Sequence, residues 1–308
     1  MEVLNIQNPC SSVPDHQMGI IRALLWVLRP KQWTKNLLIF SSPIFAGNLF
    51  RHDTMILMSI AFVCFSLAAS TVYIMNDIVD REKDRLHPDN CKRPIASGAL
   101  GVPAAIVYSI FLFAVSLGLA YYIGVVFTAI ILVYFMINVF YSLRLKHVVI
   151  VDVMIIATGF VLRAVSGAVA AGDKLTPWFI LCTLMLSLFL ALGKRRYELQ
   201  LFNGDMSKQR KVLSYYSTAL LDQLITIVTA MTIATYALYT ATETSGDKRY
   251  MMLTIPFVIY GMFRYLYLIH MEKSGGKPED ILFSDKHIFI TVVLYGLSVI
   301  CIKRYLLS

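Results

Sequence analysis

Charge is what this sequence has little of. Only 15% of its 308 residues are Asp, Glu, Lys or Arg, against about 25% in a soluble globular domain. Apolar residues make up 57% and the mean hydropathy is +0.66. That balance excludes a soluble fold and points to a membrane protein; no nucleic-acid partner is expected. Cysteine is also scarce. Cys10, Cys64, Cys91, Cys182 and Cys301 are scattered and odd in number, which excludes a disulfide framework or a thiolate metal site and says nothing of redox compartment. The first 19 residues, with Asn8, Pro9 and Pro14, lack a basic stretch followed by an apolar core. They are expected to be a loose tail rather than a signal peptide.

What is there instead is a series of long apolar runs. Nine segments of spanning length lie near 34–50, 55–79, 103–122, 124–143, 149–171, 176–197, 220–241, 251–270 and 286–305, each long enough for a membrane helix. The first is short and contains Pro43. The expected fold is therefore all-α and polytopic, about nine transmembrane helices in one domain, 20–308, after the tail. Residues 20–32 look like an amphipathic lead-in at the interface, with Trp26 and Trp33 as anchors. With the N-terminus inside, 20 of the 28 Lys and Arg fall on the inner side. Arg51, Lys174, Lys248, Arg249, Lys303 and Arg304 fall outside, and Arg163 and Arg264 lie within spans. This asymmetry predicts a multi-pass protein of the cell (inner) membrane with a cytoplasmic N-terminus. The same rule accounts for Lys208, Arg210 and Lys211, and the Gly- and Pro-containing stretch 271–286 reads as an irregular connector.

One segment breaks the pattern. "NDIVDREKDRLHPDNCKRPIASG", residues 76–98, holds ten charged residues, and acids contribute little to orientation. Asp77, Asp80 and Asp84 recur at helical spacing, so all three fall on one face at the cytoplasmic end of the second span. Bare carboxylates there repel one another and are costly at the membrane edge. Bound Mg²⁺ relieves this, because it takes one or two carboxylates, keeps several waters and is completed by substrate phosphates. Asn76 adds a neutral oxygen. The alternative is plain neutralisation by Arg81 and Lys83, although these lie on a different helical face. Beyond Pro88, a turn carries Lys92 and Arg93 beside Pro94 and Gly98, a setting suited to phosphate oxygens. Acids for a metal and bases for phosphate in one loop imply a metal–diphosphate site.

"NDIVDREKD" resembles the N-D-x-x-D-x-x-x-D signature of the UbiA superfamily, membrane-embedded transferases that use diphosphate substrates with Mg²⁺. "LRPKQWTKNLLIFSSP" (28–43), "HPDNCKRPIASG" (87–98), "YSLRLKHVVIVDVMIIATGFVLRAVSGAVAAG" (141–172) and "LGKRRYEL" (192–199) make the chain similar to the decaprenyl-phosphate phosphoribosyltransferase branch. The resemblance implies a UbiA-like bundle with a polar cavity facing the cytoplasm. It also implies Mg²⁺ as cofactor, held by the catalytic residues Asp77, Asp80 and Asp84, and transfer of phosphoribosyl from phosphoribosyl pyrophosphate to a polyprenyl phosphate in cell-wall precursor synthesis. A homo-oligomer is compatible with it.

The chain departs from the wider superfamily at the second aspartate-rich motif, D-x-x-x-D. Only Asp152 is present, and Ile156 stands where the second acid would. Arg144, Lys146 and Arg163 make this region basic instead, which fits two anionic substrates. Asp152 and Arg163 are eleven residues apart and face the same way on a helix, lining a cavity or forming a structural network. Lys31, Lys35, Asn36, Lys194, Arg195 and Arg196 are further candidates for holding phosphate, with Tyr141 and Ser142 supplying hydroxyls near the entrance. No histidine is required, since a lipid phosphate is already an anionic nucleophile at neutral pH. Two other readings remain: a prenyltransferase moving a polyprenyl chain to an aromatic acceptor, which the missing second acid disfavours, and a lipid-phosphate transporter, for which no pair of broken helices marks a midplane site.

Overall fold

The computed structural model describes residues 19–86, 90–201, 211–242, 249–271, 281 and 284–306. The tail 1–18, His87 and Pro88, the bases Lys208 and Arg210, the Lys211 side chain and most of the connector 271–286 lie outside the described residues. All regular structure among the described residues is helical. In chain order the helices are α1 (Ile20–Val27), α2 (Ser41–Ala46), α3 (His52–Val79), α4 (Arg81–Leu86), α5 (Val102–Ile123), α6 (Val125–Leu143), α7 (Val151–Ala171), α8 (Pro177–Leu201), α9 (Thr218–Thr242), α10 (Ile255–His270) and α11 (Lys286–Cys301). Eight stretches of the described residues are helical, long and apolar enough to cross a membrane: α3, α5 to α9, Tyr250–His270 and Lys286–Arg304. They coincide with eight of the nine segments expected from hydropathy.

The ninth, 34–50, differs. Pro30–Phe40 is an eleven-residue 3-10 run that continues into the six-residue α2. Proline is tolerated only in a helix's first turn, and Pro30 and Pro43 each stand at such a start. Gly47, at φ 79, closes α2 in the left-handed conformation that only glycine adopts without strain.

The chain divides into two compact units. The first comprises residues up to Leu37 and Ser59–Ser142. In it Ala23, Val27 and Leu28 pack with Ile74, Ile95, Leu100, Ala105 and Leu112, while Ile20, Ile21, Leu25 and Trp26 on the other side of α1 are exposed. This apolar outer face fits the expected interfacial lead-in. The indole N–H of Trp33, which is half-buried, turns inward and donates to Leu28 O at 3.2 Å and Ser70 Oγ at 3.1 Å, because an indole N–H turned away from water needs an acceptor. Ser116 and Cys64 exchange bonds with each other's carbonyls, joining α5 to α3. Polar pairs of this kind are what hold helices together where lipid removes the hydrophobic drive.

The second unit comprises Leu38–Met58 and Leu143 onward. Its core joins Val153 and Ala157 of α7, Phe189 and Leu192 of α8, Leu221 and Ile225 of α9, and Met262 and Tyr265 of α10. The closest approach is at Gly167, where a Cβ would lie 1.9 Å from Ile39 O, so α7 meets the backbone just before α2 with no room for a side chain. Asp285 accepts from Ile288 N at 2.8 Å and caps α11. Arg264 Nη2 donates to it at 2.7 Å, which accounts for the charge within this span and holds the Asp285 carboxyl below its usual range.

Candidate functional site

In the first unit the acidic segment folds as a helix end with a turn tied beneath it. α3 stops at Val79 and α4 begins at Arg81, yet Asp80 N donates to Asn76 O at 2.9 Å and Asp84 N to Asp80 O at 2.8 Å. The helical register thus runs through the break and keeps Asp77 and Asp84, two turns apart, on one face. The turn after α4 is fastened back onto it. Arg85 Nε donates to Ala96 O at 3.1 Å, and Asn90 Nδ2 donates to Asp84 Oδ1 at 3.0 Å.

Arg93 is the centre of this arrangement. Its Nη1 lies 3.1 Å from Asp77 Oδ1 and 2.7 Å from Asp84 Oδ2. Arg29 Nη2 reaches Asp77 Oδ1 at 2.5 Å, with its guanidinium 5.2 Å above the Tyr73 ring. Asp77 is only 2% exposed, so these partners decide whether its charge is tolerated. For Asp77 and Asp84 the counter-ions are therefore Arg29 and Arg93 rather than Arg81 and Lys83. Asp80 is half-buried at the junction, Lys92 is exposed, and Ser142 Oγ donates to Asn76 Oδ1. Tyr141 is half-buried and Arg144 exposed.

The cluster fits a hard divalent cation. Two carboxylate oxygens converge on one cationic nitrogen, and every potential ligand is oxygen, the donor type Mg²⁺ takes. Among the described residues no group of three His, Cys, Asp or Glu side chains could hold a metal. A pair of carboxylates completed by water and substrate phosphate is thus the arrangement the residues allow.

Two expected phosphate ligands have other employment. Asn36 is buried and its Nδ2 donates to Ser66 Oγ at 3.0 Å; Lys35 Nζ donates to Gln32 Oε1 at 2.6 Å. Lys31 is exposed.

In the second unit Asp152, 0% exposed, is the acceptor of a buried network. Arg195 Nε donates to its Oδ2 at 2.7 Å and Tyr216 Oη to its Oδ1 at 2.8 Å. Arg195 Nη1 continues to Glu198 Oε2 at 2.5 Å, and Tyr216 Oη accepts from Ile150 N at 2.7 Å. Ile150 itself is at φ 68, a strained conformation for a β-branched residue, held here by that bond. Burial pushes the Tyr216 phenol up to about 12. Arg195 is 1% exposed and fixes α8 to α7. Asp152 and Arg163 share a face as expected but are about 16 Å apart along the helix axis, too far to pair. Arg163 is buried, donates to Gly159 O at 2.7 Å and lies 5.6 Å over the Phe160 ring. Ile156 packs against the apolar core, so the position of the absent second acid is filled by packing. Lys146 and Lys194 are half-buried, and Lys194 Nζ lies 4.0 Å from Glu198.

The profile of the UbiA prenyltransferase family matches residues 38–284. The chain belongs to that family. It is therefore a membrane-embedded transferase. Among curated UbiA relatives it is 37% identical over 276 residues to decaprenyl-phosphate phosphoribosyltransferase of Corynebacterium glutamicum, covering 87% of this chain and 81% of that one. It is 34% identical over 302 residues to the enzyme of the same name from Mycolicibacterium smegmatis, covering 93% and 94%. Among solved structures, a UbiA homologue from Archaeoglobus fulgidus bound to DMAPP and Mg²⁺ superposes with a TM-score of 0.70 at 21% identity, covering 90% of this chain and 99% of that one.

Sequence reasoning gave no role to Arg29, Asn90, Glu198 or Tyr216. Arg29 had a signal of a kind, since it stands inside the UbiA-like stretch 28–43, but its partner is 48 residues away. Arg196, inside the UbiA-like stretch 192–199 and expected to hold phosphate, instead makes a further tie, Nε to Asp222 and Nη1 to Ile269 O at 2.8 Å.

Proposed function

We propose that this chain transfers 5-phosphoribosyl from phosphoribosyl pyrophosphate to a polyprenyl phosphate, releasing pyrophosphate, at the cytoplasmic side of the cell membrane. The observation that carries the reading is the pair of decaprenyl-phosphate phosphoribosyltransferases matched over more than four-fifths of this chain and of each relative. The apolar Ile156 at the place of a second acid agrees with it, since a site with one acidic cluster suits one diphosphate.

Asp77 and Asp84, with Asp80 beside them, would hold Mg²⁺ through carboxylate oxygens. The ion would supply neutralisation of the departing pyrophosphate, where developing charge is greatest. Arg93 holds the two carboxylates at convergent positions through a single Nη1, and a guanidinium has five N–H donors, so it can also bind diphosphate oxygens. Arg29 balances Asp77 in the same way. The two guanidiniums offset Asp77 and Asp84, and the metal that enters with the anionic donor would offset Asp80, so the donor does not face net repulsion. The bond from ribose C1 to pyrophosphate breaks with oxocarbenium character, as in glycosyl transfer, and a lipid phosphate oxygen bonds to C1. That oxygen is already anionic, so no proton need move. Lys92, in the same unit as this cluster, is assigned to the substrates' phosphates; in the second unit Asp152 and Arg195 are assigned to packing.

The test supplies membranes containing the chain with polyprenyl phosphate and ribose-labelled phosphoribosyl pyrophosphate. Label is expected in the lipid extract with wild type and not with Asp77→Asn or Arg93→Ala. Transfer of a labelled prenyl group from its diphosphate to an aromatic acceptor, with none from phosphoribosyl pyrophosphate, would overturn the reading.

A further inference from the structure

A cavity of about 270 Å³ opens where the end of α11 meets the turn between α2 and α3. Ile44, Leu49 and Ile300 give it an apolar part, and Arg51, Lys303 and Arg304 bring three cations to it. None of these residues has a part in the transfer reaction above. Two local features build the cavity. A Cβ at Gly47 would lie 3.5 Å from Lys303 Cβ, so the left-handed turn after α2 lies directly on the chain leaving α11. The π-helical turn Ile302–Leu306 then carries Lys303 and Arg304, and the Arg304 guanidinium stands 5.8 Å over the Phe50 ring.

The surroundings say what kind of ligand suits it. Phe50 is 59% exposed, and Ile56 and Leu297 on the adjoining helix ends are exposed apolar residues of the kind that face lipid. The cavity is smaller than the roughly 300–1,000 Å³ of most small-molecule sites, which leaves room for a headgroup rather than a nucleotide. Arginine grips phosphate oxygens through paired N–H donors. We propose that this cavity binds the phosphate of an anionic phospholipid from the surrounding leaflet, its acyl chains lying along the exposed apolar residues. Cations that merely snorkel at helix ends would attract any anionic surface. A built cavity instead retains one lipid per chain and discriminates by headgroup.

The experiment is native mass spectrometry of the full chain during detergent washing, with thermal melting in vesicles as a second readout. Wild type should retain one phosphatidylglycerol but not phosphatidylcholine, and should melt higher in phosphatidylglycerol vesicles. Each cation near an anionic lipid contributes about a fivefold preference, so Arg51→Gln/Lys303→Gln should bind phosphatidylglycerol about 30-fold more weakly. The charge-conserving Arg51→Lys/Lys303→Arg should keep most of the binding. Equal retention of both lipids by wild type, which needs no variant, overturns the proposal. So does unchanged retention in the Gln variant, or protection by inorganic phosphate alone equal to that of the vesicles, which would mark a soluble phosphate site.

Discussion

Asp152→Asn separates packing from chemistry in the second unit. Asp152 accepts from two donors, Arg195 Nε at 2.7 Å and Tyr216 Oη at 2.8 Å, and neither donor is exposed. Asparagine keeps the shape but has one acceptor oxygen. If that oxygen serves Arg195, the amide N–H faces Tyr216, whose Oη already accepts from Ile150 N, and the hydroxyl proton loses its acceptor. Breaking a buried ion pair costs about 3–5 kcal/mol. Glu198 still accepts from Arg195 at 2.5 Å, so the lower end applies, about 3 kcal/mol. At about 2 °C per kcal/mol for a large chain, the melting point should fall by roughly 6 °C. The assay is thermal melting in detergent beside transfer activity on the same preparation, below the melting point. Activity should survive in proportion to folded protein. Wild-type melting with abolished transfer would refute the reasoning and place Asp152 on a substrate.

Gly167→Ala should fail to accumulate as folded protein, measured by recovery after size exclusion. Its Cβ would stand 1.9 Å from the Ile39 carbonyl oxygen, and a backbone group cannot yield, so the cost exceeds the about 1–3 kcal/mol of ordinary overpacking. Tyr216 gives a pH test. Burial raises its phenol to about 12 in the folded protein, against about 10 unfolded, so the unfolded chain loses that proton first. Stability should fall as pH rises from about 10 towards 12, and Tyr216→Phe should show a shallower decline of melting point over that window. Arg163→Met keeps much of the side chain's apolar bulk and removes its charge. If Arg163 meets a substrate phosphate, transfer should drop at least tenfold, of the order of one charge-assisted bond, with melting close to wild type; a large melting loss would make the residue structural.

Hydropathy alone located eight of the spans, because a membrane helix is read from length and apolar content, which need no knowledge of neighbours. The segment 34–50 was not legible in the same way. A 3-10 run followed by a short α-helix has the composition of one span, and its geometry depends on Trp33 and Asn36 bonding to Ser70 and Ser66. Asp77 and Asp84 were legible as one face because seven residues is two helical turns. Arg29 was not, since it meets Asp77 through a tertiary approach from a residue at φ 52, which no periodicity encodes. The same holds for Arg195: its charge at the end of a span suggested phosphate, whereas its burial against Asp152 follows from how α7 and α8 pack. The absence of an acid at 156 was plain in the sequence, and its filling by core packing only in the fold.

Phosphoribosyl transfer with pyrophosphate as leaving group is the step on which the proposed function stands. Phosphoribosyl pyrophosphate carrying one label in the ribose and another in the β-phosphate tests this in a single incubation with polyprenyl phosphate and Mg²⁺. The ribose label should enter the lipid phase while an equal amount of β-phosphate label is released to water as pyrophosphate, and chelation should stop both. Both labels in the lipid, or neither while a prenyl diphosphate is consumed, would contradict it.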